Sequence, residues 1–310
     1  MPNAMMTSYT SAVKREDLLD VITNLKPTET QFFTGLKKSK AKSVYHEWPV
    51  DVYATVTNTA TDKKTVEGAD WGDGDMVSPT REGNYTQIIK EVWKISGTAQ
   101  VIDTAGMSNP KAYYQAKAMI NWKHKAEWSL IHGTKTAGDA STAREMGGIF
   151  NLTTTNAVNA GGAELTESLL LDYLQLGWEA SSAKISECYV GADLKRVISS
   201  FTAGSTKNIE AKDKRLVNAV DVYESDFGII KIFLHRFIDS VVTAGGTHNM
   251  LLIAPETLAY AGLREPANYD APKGGDYEKG AIIGEFTLED RGEYANVAVK
   301  NLAASGGGAS

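Results

Sequence analysis

Five histidines, one cysteine and a cluster of aspartates are the residues best equipped for chemistry in this chain, and their spacing supports none of the usual arrangements. His46, His124, His132, His235 and His248 never form HExxH or another zinc spacing, and none stands at a finger-like interval from a cysteine. His124 and His132 lie among Trp122, Lys123, Lys125 and Trp128 in a helical pattern, where packed or solvated rings are the simpler reading. Asp70, Asp73 and Asp75 resemble the start of a calcium loop, but Trp71 and Met76 break the one-three-five register with its following glycine. A solvated acidic loop is expected there. No G-x-x-x-x-G-K-[ST] occurs, and Gly72 with Gly74 lacks the third glycine and the strand-to-helix setting of a dinucleotide fingerprint. There is no G-x-S-x-G elbow, and Cys188 sits in an apolar run where a buried, inert thiol is the default. The sequence therefore predicts no catalytic residue, no metal and no cofactor.

The elements that would have to carry such residues read as follows. Lys14 to Leu25 places Leu18, Leu19, Val21, Ile22 and Leu25 on one helical face, with Glu16 and Asp17 at its positive end. Pro27 ends it, and Phe32 and Phe33 precede Gly35 and the lysines 37, 38, 40 and 42. The segment is read as an arm that docks on something, with an ordinary first helix as the alternative. Val44 to Thr57 and Tyr85 to Ile102 are β-rich, and Pro49 assigns the first to an edge or a bulge. Between them Asn58 to Asn84 is polar, rich in glycine and acid, and too long for a hairpin turn. The whole reads as a long two-stranded excursion that leans on a neighbour, since a lone hairpin buries too little.

Asn109 and Pro110 supply an N-cap and a first helical residue, and the run to His132 carries Ala112, Ala116, Met119, Trp122, Ala126 and Leu130 on one stripe. At 1.5 Å per residue this helix is about 35 Å long. Tyr113, Tyr114, Ile120, Trp128 and Ile131 lie off the stripe, so cover from more than one side is expected. Beyond Gly133, helices are predicted over Thr166 to Ser181, Asp193 to Phe201 and Glu256 to Leu263. Strands are predicted over Glu187 to Gly191, Gly228 to Phe233, Met250 to Ala254, Ala281 to Leu288 and Tyr294 to Val299. The fold class is α+β, and residues 303–310 read as a flexible tail.

Composition narrows the function. The chain has 310 residues, 42% hydrophobic and 23% charged, which suits a folded protein of about two structural units. Lys plus Arg number 32 against 38 Asp plus Glu, a net charge of -6 that argues against a dedicated nucleic-acid binder. A single cysteine excludes an intrachain disulfide framework, and no stretch approaches the ~20 apolar residues of a membrane span. A reducing interior is expected, with no membrane partner.

The order of features, arm helix, long β excursion, long helix, glycine-containing loop, mixed α/β unit and β return, resembles the major capsid proteins of tailed bacteriophages over roughly Asp17 to Leu302. Asp17 to Phe33 with its Pro27–Thr30 element, Val92 to Ala105, Tyr113 to Gly133 and Met146 to Asn151 look similar to a phage head-protein subfamily catalogued as a domain of unknown function. The resemblance implies the Hong-Kong-type capsid fold. Its parts would be an N-terminal arm (1–42), an extended loop (43–104), a peripheral domain (105–163 and 247–302) with spine helix 109–132, and an axial domain (164–246). It implies a structural virion protein, not an enzyme, assembled in the host cytoplasm into an icosahedral head of hexamers and pentamers around double-stranded DNA bound without sequence specificity. Portal, decoration and scaffolding proteins are the other partners implied. A shell of a cellular nanocompartment is the alternative, and an unrecognised α/β enzyme a weaker one. Leu18, Leu19, Ile22, Phe32, Phe33 and Trp71 are the expected inter-subunit contacts. The lysine–asparagine crosslinks of some relatives are not assigned, because nothing fixes which lysine, Lys63 or Lys64 for example, would face which asparagine.

Overall fold

The longest helix forms where the capping chemistry places it. The Asn109 side chain accepts the amide of Ala112, Pro110 opens the helix, and α3 runs over Pro110–His132 until Gly133. The computed structural model describes residues 28–51, 53, 66–70, 78–102, 107–201, 221–239 and 247–304. The helix expected over Lys14 to Leu25, with Leu18, Leu19 and Ile22, and Trp71 in the long loop lie outside the described residues.

In chain order the elements are α1 (Gln31–Gly35), β1 (Lys37–Lys40), β2 (Tyr45–Val50), β3 (Thr80–Tyr85), β4 (Gln87–Ser96), α2 (Gly97–Val101), α3, α4 (Ile149–Leu152), β5 (Ala157–Asn159), α5 (Glu167–Ala180), β6 (Glu187–Val190), α6 (Ala192–Phe201), β7 (Val222–Ser225), β8 (Gly228–Leu234), β9 (Thr247–Ile253), β10 (Leu258–Asp270), β11 (Tyr277–Asp290) and β12 (Val297–Ala303). A four-stranded sheet has the order β1-β10-β11-β4, a six-stranded sheet β5-β12-β9-β6-β8-β7, and β2 pairs with β3 alone.

Helix α3 packs on β4 and β11. Trp122 and Ala126 are wholly buried against Ile89, Trp93, Ile282 and Phe286, and the Trp122 indole donates to the Ile89 carbonyl at 2.9 Å. Ile131 is buried too while Trp128 is 43% exposed, so the second apolar face is covered only in part. The six-stranded sheet builds its own core from Leu170, Leu174, Val190, Leu194, Ile198 and Leu252 under α5 and α6.

Three expectations are corrected. Glu256 to Leu263 is not a helix; it opens the 13-residue strand β10. Leu258 to Gly262 is buried on both faces between β1 and β11, so the alternation that marks a strand is missing from the sequence. The β-rich run from Tyr85 does not return along the first strand either. Only Thr80–Tyr85 pairs with β2, whereas β4 runs antiparallel to β11 from Ser96 opposite Tyr277 to Gln87 opposite Phe286. β4 is thus part of the body sheet, not of the loop to which 43–104 assigns it. Finally, β9 and β12, allotted with 247–302 to the peripheral unit, hydrogen-bond into the six-stranded sheet beside β6, and Ala303 of the expected tail is still paired there. Such long-range pairings leave no local mark in a sequence.

Candidate functional site

Two segments are fastened to the body of the chain, the described N-terminal residues with α1 and β1 and the β2–β3 hairpin, and both meet the β10–β11 side of the four-stranded sheet.

The N-terminal root is built around a buried charge. Glu127 of α3 has no exposed surface, and its carboxylate accepts the amides of Phe32 at 2.9 Å and Phe33 at 2.6 Å. A third partner is His235, just after β8, whose Nε2 lies 2.6 Å from the same carboxylate. The His235 Nδ1 accepts the Phe237 amide at 3.2 Å, which fixes the tautomer with its proton on Nε2 and makes that ring a donor to Glu127. One carboxylate therefore ties together the N-terminal segment, the long helix and the six-stranded sheet. Burying a charge is tolerable only when its lone pairs are filled this way.

Phe32 is 1% exposed and meets Tyr189 edge-on with centroids 5.5 Å apart, while Phe33 sits edge-on to Trp122 and Tyr260. The contact expected between subunits at these two rings is, in this chain, a contact within the subunit: once their amides are drawn to Glu127, the rings fill the core beside it. Beyond them β1 lies parallel to β10, and the Ser39 hydroxyl donates to Glu289 of β11 at 2.6 Å.

The hairpin root uses amide chemistry. Asn84 is fully buried, and its Nδ2 donates to the carbonyls of Gly147 and Leu288 at 2.9 and 3.0 Å. Its Oδ1 accepts the amides of Gly147 at 2.8 Å and Tyr85 at 2.9 Å, so the side chain's hydrogen-bonding capacity is used in full. Next to it Glu285 accepts from Thr86, Arg144 and Arg264. Lys135, from the turn after α3, donates to the Gly83 carbonyl, and a Cβ at Gly83 would come within 2.7 Å of the His46 carbonyl, so only glycine fits. On the body-facing side of β2, His46 reaches the same Glu289 oxygen as Ser39, at 3.1 Å.

Sequence reading found neither root. Glu127, Asn84, Glu285 and Glu289 look like ordinary surface residues one at a time. The available signal was Glu127 itself, a charge inside the Ala126–Leu130–Ile131 buried stripe.

Among the described residues no group of three or more His, Cys, Asp or Glu could hold a metal ion. Cys188 is buried, which pushes its thiol up to about 12 and keeps it protonated. His248 bridges Asp239 at 3.0 Å and Asp193 at 3.5 Å, a clamp between the segment after β8 and the start of α6. Among the described residues no helix is long and apolar enough to cross a membrane.

Solved structures that share this architecture include a phage capsid and an encapsulin. Over 99% of this chain and 100% of theirs, the subunits of the cyanophage Pam1 capsid asymmetric unit superpose with a TM-score of 0.63 at 8% identity. The holo-SrpI encapsulin complex from Synechococcus elongatus PCC 7942 gives 0.57 at 10% identity, over 96% of this chain and 94% of that one. At such identities the likeness is one of fold, and the fold is that of tailed-phage capsid subunits. In sequence the chain is 22% identical to a major capsid protein of Escherichia phage Phieco32, over 94% of this chain and 95% of the relative. Residues 3–303 match the family described as SU10 major capsid protein, and the chain belongs to that family. Its place is the capsid of a virion, as one subunit among many.

Proposed function

We propose that this protein self-assembles, through hexamers and pentamers, into the icosahedral head of a phage and encloses double-stranded DNA. The observation that carries the reading is the family match across residues 3–303. The two rooted segments support it, because a hairpin that buries little of its own surface gains stability when a neighbouring copy covers it. Leu18, Leu19, Ile22 and Trp71 are the proposed inter-subunit contacts. The net charge of -6 suits a container that holds DNA loosely and without sequence preference. Assembly in the host cytoplasm, with portal, decoration or scaffolding partners and without an enzymatic step, completes the proposal.

Expression of this chain alone, followed by negative-stain microscopy and nuclease-sensitive staining of the contents, tests it. Closed shells of one size are expected; a monodisperse monomer across conditions, with turnover of a substrate, would overturn it. The likeness to the SrpI encapsulin favours a second reading, a shell that encloses a protein cargo. Copurifying protein in place of nucleic acid distinguishes it.

A further inference from the structure

The face of the hairpin turned toward the body carries titratable groups, and so does the surface it meets. Trp48, Arg81 and Glu82 of the hairpin root and Lys135, Asp290 and Glu293 of the body line a cavity of about 360 Å³. Asp290, at the end of β11, is 1% exposed and accepts the Gly292 amide at 3.1 Å and the Asn296 amide group at 3.2 Å. Glu293 accepts from the backbone and hydroxyl groups of both Thr154 and Thr155, which keeps it turned into the same space. Glu82 comes from the opposite wall, on β3 directly across from Trp48. The Trp48 indole nitrogen is buried and has no hydrogen-bond partner, so nothing polar fastens the hairpin at that point.

We propose that this cavity is a proton-operated seat for the hairpin: Asp290, facing Glu82 and Glu293 across it, lets the hairpin root lie down when neutral and loosens it when ionised. Three carboxylates around one cavity repel when all are charged, and Lys135 and Arg81 are the cations that line it. Burial, with help from Glu293 and Glu82, pushes Asp290 up to about 7, and burial followed by Glu293 raises Glu82. His46, on the same hairpin face, lies 3.1 Å from Glu289 outside the cavity. Tyr45 and Tyr294 are the remaining titratable groups of the lining. The sign follows from linkage. An acid that is harder to ionise in the seated state favours seating at low pH, and that preference drains away as pH rises from the ordinary aspartate range to the Asp290 midpoint.

Hydrogen exchange on the full-length protein, read on peptides covering 45–50 and 80–85 and corrected for intrinsic chemical rates, tests this without requiring shells. The hairpin amides are expected to exchange faster as pH rises from 5 to 7, by up to about tenfold per pH unit, and to level off above 7. Peptides from β4 should show no such rise. Asp290→Asn should flatten the hairpin profile, and Glu82→Gln, on the partly exposed hairpin wall, should bring the plateau to lower pH. Flat corrected exchange in the parent, or a parent-like profile in either variant, overturns the proposal. If Asp290→Asn does not fold, the Glu82→Gln profile decides alone.

Discussion

Glu127 shows how much one buried carboxylate can be asked to do. With three donors converging on it, Glu127→Ala leaves two backbone amides and an imidazole N–H unpaired in the core, and the loss should be about 3–5 kcal/mol. Urea titration reads the lowered midpoint, and exchange at residues 31–35 should rise more than exchange in α5. Asp290 pulls the other way. Its carboxyl ionises about three pH units later than the ordinary 3.8, so stability present at pH 4 should fall by on the order of 4 kcal/mol as pH climbs to 7. Denaturant unfolding at pH 4.5 and 7.5 checks this, and Asp290→Asn should remove most of the difference. Glu127 left one trace beforehand, its place among Ala126, Leu130 and Ile131, and Asp290 left none. An acid in a helical or loop pattern reads as a solvated face, and only tertiary packing shows that Asp290 is buried at the end of β11.

Among the elements, α3 was legible to the residue because its boundaries are chemical: Asn109 as cap, Pro110 as first residue, Gly133 as stop. β10 was illegible for the opposite reason, since burial on both faces erases the period-two signal that separates a strand from a short apolar helix. β11 depends on its glycines. A Cβ at Gly284 would approach the Trp122 ring to 2.5 Å and Pro266 to 3.2 Å, and one at Gly280 would meet Trp93 at 2.5 Å. Gly284→Ala should therefore lower stability by about 1–3 kcal/mol through displaced core tryptophans, visible as a lower thermal midpoint. Asn84→Ala should cost about 2–4 kcal/mol and raise exchange in β2 and β3 before the rest of the sheet, because it unfastens the hairpin and leaves β4 paired.

At the scale of the whole molecule, the chain is a body of two cores with an N-terminal segment and a hairpin fixed to its four-stranded sheet. The order of elements could be read from the sequence; which strands share a sheet could not, as β4, β9 and β12 show. Removing residues through Lys42 deletes Phe32, Phe33 and β1 together, so the truncated subunit should expose Glu127 and lose body stability as well as shells. Truncation before Thr28 is the cleaner test of the proposed contacts at Leu18, Leu19 and Ile22, with soluble subunits and no shells as the expected result on microscopy. Trp71→Ala should weaken shells against denaturant while leaving the subunit's unfolding unchanged. One oxygen of Glu289 receives both Ser39 from the N-terminal segment and His46 from the hairpin. Separate as their main anchors are, the two limbs thus also meet at one atom, so a change at Glu289 reaches both at once.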